Sequence, residues 1–269
     1  MDDRVKVTMS DGIADVRLVR ADKMNALDAA MFDALVATSG RLAHEKGLRA
    51  VVLSGEGRAF CAGLDMDRFA AMKKGGNGVA GGESRDLTAR THGLTNFPQQ
   101  AVWGWRQLPV PVIAAIQGVA FGGGFQLALG ADMRFLAPDA RMSIMEIKWG
   151  LVPDMAGTPI LASLVRDDIL RELTYTGRIF SAQEALSYGL ATRICDDPRA
   201  AAFEVAREIA GKSPEAIRAA KRMLNNLAID PGPALLAESV EQMKLMGGAN
   251  QLEAVRANID KRAPRFADV

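Results

Sequence analysis

Glu146 lies in the run Met145-Glu146-Ile147-Lys148-Trp149-Gly150-Leu151-Val152-Pro153-Asp154-Met155-Ala156-Gly157-Thr158, a carboxylate among apolar neighbours. Burial disfavours the charged form of such a group and lifts its pKa, which suits it to carrying a proton near neutral pH. Two other segments offer a different chemistry, through the backbone. In Ala59-Phe60-Cys61-Ala62-Gly63-Leu64-Asp65 a strand leads into an Ala-Gly turn and a helix start, where N–H groups lack partners. In Ala114-Ala115-Ile116-Gln117-Gly118-Val119-Ala120-Phe121-Gly122-Gly123-Gly124-Phe125-Gln126 three consecutive glycines join a strand to a helix. They permit positive φ and let a ligand come close to the main chain. No Gly-Lys-Ser/Thr follows and no dinucleotide fingerprint with a downstream acid is present, so a phosphate loop fits less well. A thioester oxygen at a helix N-terminus fits better.

These residues need a scaffold, and alternating strand and helix patterns supply one. Val5, Val7 and Met9 alternate, Asp11-Gly12 supplies a turn, and Ile13 to Val19 resumes the extended pattern. A helix is expected from Asp28 as N-cap to Lys46, with Gly47 at its C′ position. Arg49 to Leu53 reads as a short apolar strand ending at Gly55. Strand Val112 to Ile116, a helix from about Gly123, and strand Asp132 to Leu136 repeat the rhythm. The fold class is therefore α/β, with parallel pairing and crossover helices. Residues 73–84 (KKGGNGVAGGES) have no core-forming pattern and read as an active-site loop. Ser181-Ala-Gln-Glu184 is a capping box, Ser213-Pro214 starts a helix with proline at N1, and Asn250 to Glu253 opens the last one. From about residue 198 the pattern is purely helical, a unit whose apolar faces need the core or another subunit.

Among the 269 residues, 49% are hydrophobic and 24% charged, as in ordinary globular proteins, and the net charge is +1. No global field draws the chain to nucleic acid or to an anionic membrane, and no basic–aromatic stripe is present. No run approaches the length of a membrane span, and the N-terminus has no apolar signal region. The two cysteines, Cys61 and Cys195, lie far apart, which argues against a disulfide framework or a metal site and fits a reducing, cytoplasmic setting. Cys61 is expected to pack as a small apolar residue, and His44 and His92 to lie at the surface.

Taken in order, the motifs resemble the crotonase superfamily, the enoyl-CoA hydratase/isomerase family. The resemblance runs from Asp22-Lys23-Met24-Asn25-Ala26-Leu27 through Phe60-Cys61-Ala62-Gly63-Leu64-Asp65, the triple glycine, Glu146, Gly150 and Pro153. It continues through Ser213-Pro214 and Lys221 to Lys261-Arg262-Ala-Pro264-Arg-Phe266. It implies a spiral of β-β-α units over residues 1–197. Residues 198–269 then form a helical region used in assembly of a trimer or a dimer of trimers. It also implies an oxyanion hole made by the N–H groups of Leu64 and Gly123, each contributing a few kcal/mol because it points at developing charge. Coenzyme A, carried by an acyl thioester substrate and not by a separate cofactor, would run past Lys23, Met24 and Ala26. Its adenine would lie near Ala62, Gly63, Asp65 and Met66, and Phe121 and Gly122 would complete the substrate site. Lys23 is placed either on a phosphate or in solvent. Trp103, Trp105 and Phe97 either line an acyl pocket or pack in the core.

Hydratases of this family use two glutamates, and here the first position is Gln126 while the second is Glu146. An amide can orient water but cannot accept its proton; losing a general acid/base group costs about 10²–10⁴ in rate. A double-bond shift needs only one carboxylate, and the mitochondrial type of Δ3,Δ2-enoyl-CoA isomerase is similar in having a single glutamate matching Glu146. Dienoyl-CoA isomerases carry an aspartate at the spacing of Asp154, eight residues after Glu146, but also an acid where this chain has Gln126. Asp154 is a second proton-handling group or, the better-supported reading, the N-cap of a helix from Met155 to Leu164. No signal marks a nucleophilic carboxylate of the kind a thioesterase or dehalogenase needs. The expectation is an acyl-CoA enzyme with Glu146 as general acid/base, isomerisation being easier than hydration. The competing reading is an acyl-CoA binder that lost its chemistry at Gln126.

Overall fold

In the computed structural model, residues 4–68, 86–225, 232–262 and 264 are described. The strands are β1 (Val5–Ser10), β2 (Ile13–Leu18), β3 (Ala50–Gly55), β4 (Val112–Ile116), β5 (Val119–Phe121), β6 (Met133–Leu136), β7 (Arg141–Ser143), β8 (Phe180–Ser181) and β9 (Arg193–Ile194). The helices are α1 (Ala29–Ala43), α2 (Phe97–Gln107), α3 (Gly123–Leu129), α4 (Gly157–Leu161) and α5 (Asp167–Thr176). They continue with α6 (Ala182–Ser187), α7 (Pro198–Ala210), α8 (Pro214–Asn225), α9 (Gly232–Leu245) and α10 (Ala249–Ile259).

β1 and β2 form an antiparallel hairpin closed by Asp11 and Gly12, both at positive φ, as a tight two-residue turn demands. The remaining strands of the main sheet are parallel, in the order β1-β2-β3-β4-β6-β9. Residues along β3 and β4 are buried on both faces, as parallel strands with crossover helices require. Successive side chains alternate between the faces. Val51, Leu53, Val112, Ala114 and Ile116 join the large core on the side of α1 and α2. Ala50, Val52, Ile113, Ala115 and Phe135 face Ala202 and Ala206 of α7. The first helix of the C-terminal stretch thus covers the sheet, whereas Gln242 and Met246, in and just after α9, line a cavity on the other side.

Asp28 caps α1 by accepting the Met31 N–H at 2.8 Å, as its sequence position suggests. The helix stops at Ala43, earlier than Lys46, because His44 closes it and the chain turns through Gly47 (φ +77°) into β3. The capping box at α6 is complete, Ser181 and Glu184 exchanging side-chain and backbone bonds. A small sheet of β5, β7 and β8 has strands too short for a sequence pattern to reveal. The Gly-rich stretch 73–84 lies outside the described residues. Among the described residues no helix is long and apolar enough to cross a membrane.

Candidate active site

Three stretches of chain run side by side beneath a cavity of about 560 Å³. The segment after β3 lies along β5: the Cys61 N–H donates to Val119 O at 3.0 Å and the Phe121 N–H to Cys61 O at 3.1 Å. On its other side, the Leu27 N–H donates to Gly63 O at 2.8 Å and the Asp65 N–H to Leu27 O at 3.2 Å. That parallel pairing leaves the intervening Leu64 with its own N–H turned away from Leu27. Gly123 is the first residue of α3, where backbone donors have no intrahelical acceptor. Both residues line the cavity, and among the described residues neither N–H has an acceptor.

Glycine makes this approach possible. At Gly63 (φ +88°) a Cβ would stand 2.5 Å from Phe121 O, and at Gly124 one would stand 2.3 Å from Cys61 O. Gly63→Ala is therefore expected to cost about 1–3 kcal/mol through backbone strain, before the clash is counted. Chemical denaturation would show it as a lower midpoint at unchanged slope; wild-type stability would contradict the close approach.

Glu146 begins a 3-10 turn, Glu146–Trp149, and lies buried at the cavity wall, 9% exposed. Its Oε1 accepts the Gln126 Nε2–H at 2.6 Å, while its Oε2 is buried with no hydrogen-bond partner among the described residues. Burial pushes its pKa up to about 7, against the pull of nearby N–H groups and Gln126, and the charge of Asp154 pushes the same way. The orientation of Gln126 is fixed by the backbone: its Oε1 accepts the N–H groups of Met155 and Gly157, each at 2.9 Å. Only its NH₂ is left for Glu146. Gln126, itself 1% exposed, does not line the cavity; it braces Glu146 from behind. The free, water-orienting amide considered from the sequence is not what the structure shows.

Asp154 is not a helix N-cap. Ala156, in a left-handed conformation, precedes α4, which spans Gly157–Leu161 and not Met155 to Leu164. The short polar side chain was a misleading cue, because the backbone here is shaped by the bonds of Met155 and Gly157 to Gln126. Asp154 instead lines the cavity with Glu146, and burial pushes its pKa up to about 6 against a hydrogen bond from Gln242.

Lys23, Met24, Ala26, Ala62, Gly63, Asp65, Met66, Phe121 and Gly122 all line the same cavity. Lys23 is exposed at its mouth. The carboxylate of Asp65 is taken by protein: Arg20 pairs with its Oδ2 and the Asp67 N–H donates to its Oδ1. Burial works against its charge, but those donors prevail and hold its pKa below the ordinary value. Cys61 is packed in the core, its thiol pushed up to about 12 by burial and donating to Asn25 O, so it is no nucleophile here. Trp105 is fully buried and Trp103 and Phe97 pack against the same core; none of the three reaches the cavity wall. The apolar part of that wall includes Leu27 and Met155, which lie within the motifs, and Phe32, Leu87, Pro98 and Met246, which no local motif announced.

The family model for enoyl-CoA hydratase/isomerase matches residues 8–269. Carnitinyl-CoA dehydratase of Proteus mirabilis is 32% identical over 99% of this chain and 99% of its own. The mitochondrial Delta(3,5)-Delta(2,4)-dienoyl-CoA isomerase of Mus musculus is 31% identical over 93% of this chain and 77% of its own. An enoyl-CoA hydratase/isomerase from Mycobacterium paratuberculosis superposes with a TM-score of 0.82 at 26% identity, covering 95% of this chain and 98% of that one. Relatives named for a dehydration and for an isomerisation share this mixed α/β, crotonase-type scaffold, so fold alone does not select the reaction. The chain belongs to the enoyl-CoA hydratase/isomerase family.

Proposed function

We propose that the protein binds an acyl-CoA thioester, holds its enolate between the N–H groups of Leu64 and Gly123, and moves protons with Glu146. The carrying observation is the state of Glu146: buried at the cavity wall, one oxygen braced by Gln126, the other unpartnered among the described residues, its pKa pushed to about 7. A carboxylate with that pKa can accept a proton and return it at neutral pH. The two unpaired N–H groups supply the complementary half, stabilising negative charge on the thioester oxygen without reorganising.

The reaction these groups favour is a double-bond shift. Glu146 removes a C2 proton from a 3-enoyl thioester, the electron pair spreads into a dienolate, and the same carboxyl returns the proton to C4. The product is the conjugated 2-enoyl thioester, and no water is consumed. Hydration by a two-glutamate route would need an acid at position 126, and Gln126 cannot take the proton of water. Asp154 also lines the cavity, and its negative charge helps keep Glu146 basic. Asp154→Asn is accordingly expected to move the midpoint of the kcat–pH profile below the wild-type value; an unmoved midpoint would show that the two groups do not interact.

Trimeric assembly belongs to the same proposal, and the exposed apolar pair Met223 (71%) and Leu224 (65%) on α8 offers a surface such contacts would cover. Turnover is tested by following conjugated thioester absorbance with trans-3-hexenoyl-CoA and with crotonyl-CoA. A rise with the first, faster than the fall with the second, is expected. Binding of both esters with no turnover of either would sink the enzyme reading and leave a binding protein.

A further inference from the structure

The two side-chain amides of the site are held alike. Gln126 gives its Oε1 to backbone N–H groups of Met155 and Gly157 and turns its NH₂ to Glu146. Gln242, on α9 and 4% exposed, accepts the Val152 N–H on its Oε1 at 3.3 Å. With the oxygen so occupied, its NH₂ is the group left for the carboxylate of Asp154, which it hydrogen-bonds. Gln242 and Asp154 both line the cavity, and Val152 lies two positions before Asp154, so one amide ties the loop and its carboxylate to the same helix. An N–H donor favours the ionised carboxylate over the acid.

Resting on the function proposed above, we propose that Gln242 is a positioning residue: it fixes Asp154 as an ionised carboxylate at the cavity, making the C-terminal helical segment a working part of the site. Nothing in the local sequence of α9 marks this role. The residue lies far along the chain from the motifs that define the site, and glutamine in a helix is ordinarily a solvated side chain. Its burial beside Asp154 is what sets it apart. Gln242 acts through Asp154 and not on the substrate, so its influence should vanish when Asp154 no longer carries charge.

The test is a double-mutant cycle on turnover of trans-3-hexenoyl-CoA. Gln242→Glu keeps the size of the side chain and the acceptor for Val152 but faces Asp154 with an oxygen; Gln242→Leu removes both partners. Gln242→Glu is expected to lower kcat at least about tenfold with KM within about threefold, on the scale of losing a group that tunes proton transfer. In an Asp154→Asn background the same change should cost less than about twofold, because the variants share one path. Gln242→Leu should follow the same pattern if it folds, and Gln242→Glu stands alone if it does not. Equal losses in both backgrounds would assign Gln242 to packing of α9 and overturn the inference, as would an Asp154→Asn protein with wild-type kcat. If the unmodified protein turns over neither trans-3-hexenoyl-CoA nor crotonyl-CoA, the function itself fails, and the inference with it.

Discussion

Glu146→Gln should lower kcat for trans-3-hexenoyl-CoA by about 10²–10⁴-fold, the range for removing a general acid/base group. KM should change little, because the amide keeps the shape of the carboxyl and the N–H groups of Leu64 and Gly123, the proposed thioester donors, are untouched. The wild-type enzyme should show a rate that rises with pH through about 7, since Glu146 must be ionised to take the C2 proton. Stability should run the other way. The folded-state pKa of Glu146 is raised above its ordinary 4.5, so the native protein holds a proton there that the unfolded chain releases. The neutral acid is therefore fully tolerated below about 4.5, and stability is lost as pH rises through about 7. At pH 8 the Glu146→Gln protein should be the more stable by up to about 3 kcal/mol, from the energy equivalent of the shift. Below pH 4.5 the two should converge. Paired denaturation curves at pH 8 and pH 4 check this, and a variant less stable at both would contradict burial of an ionisable Glu146.

Gln126→Glu should convert the balance of activities. The new carboxylate keeps its acceptor role toward the N–H groups of Met155 and Gly157, which favour its ionised form. Its other oxygen replaces the NH₂ that faced Glu146 at 2.6 Å, and two carboxylates that close cannot both stay ionised. The pair then shares a proton; only Glu146 meets the cavity, so the introduced carboxylate acts through it, taking the proton that Glu146 passes back when it accepts one from water. Hydration of crotonyl-CoA should rise at least about tenfold, the low end of what a second acid/base group contributes. The midpoint of the pH profile for the 3-enoyl shift should move up, because Glu146 is harder to ionise beside a like charge. Absorbance assays with the two thioesters measure both effects. An unchanged hydration rate together with an unmoved midpoint would mean that the position is not coupled to the proton chemistry.

Much of the scaffold was legible because local signals coincide with tertiary demands. Val112–Ile116 is a run of apolar residues that is buried on both faces, Asp28 caps the helix it precedes, and Ser181 with Glu184 closes a capping box. The placement of Leu64 and Gly123 on the cavity wall was legible because it depends on chain path, and glycine at 63, 122, 123 and 124 announces that path. Side-chain roles were harder. Gln126 reads locally as an amide free to hold water, but its oxygen is taken by N–H groups 29 and 31 residues away, a fact only the fold supplies. Asp154 resembles an N-cap, yet the helix it should cap begins later, after a left-handed Ala156. Trp103 and Trp105 look like pocket aromatics, and the core claims them because α2 packs against α1 and α3 with that face inward. Gln242 had no readable signal, since its significance lies in contact with a loop about ninety residues earlier. Main-chain features follow local sequence, whereas side-chain partnerships at the site are made by long-range contacts.

The central claim is that a thioester enolate forms here and that Glu146 carries the proton. The most direct measurement is proton NMR of trans-3-hexenoyl-CoA incubated with the protein in D₂O. The expected result is conversion to 2-hexenoyl-CoA with part of the original C2 protium retained at C4, and loss of the conversion in Glu146→Gln. Isomerisation that survives in Glu146→Gln, or 3-hydroxyhexanoyl-CoA formed without any transfer of protium from C2, would contradict it.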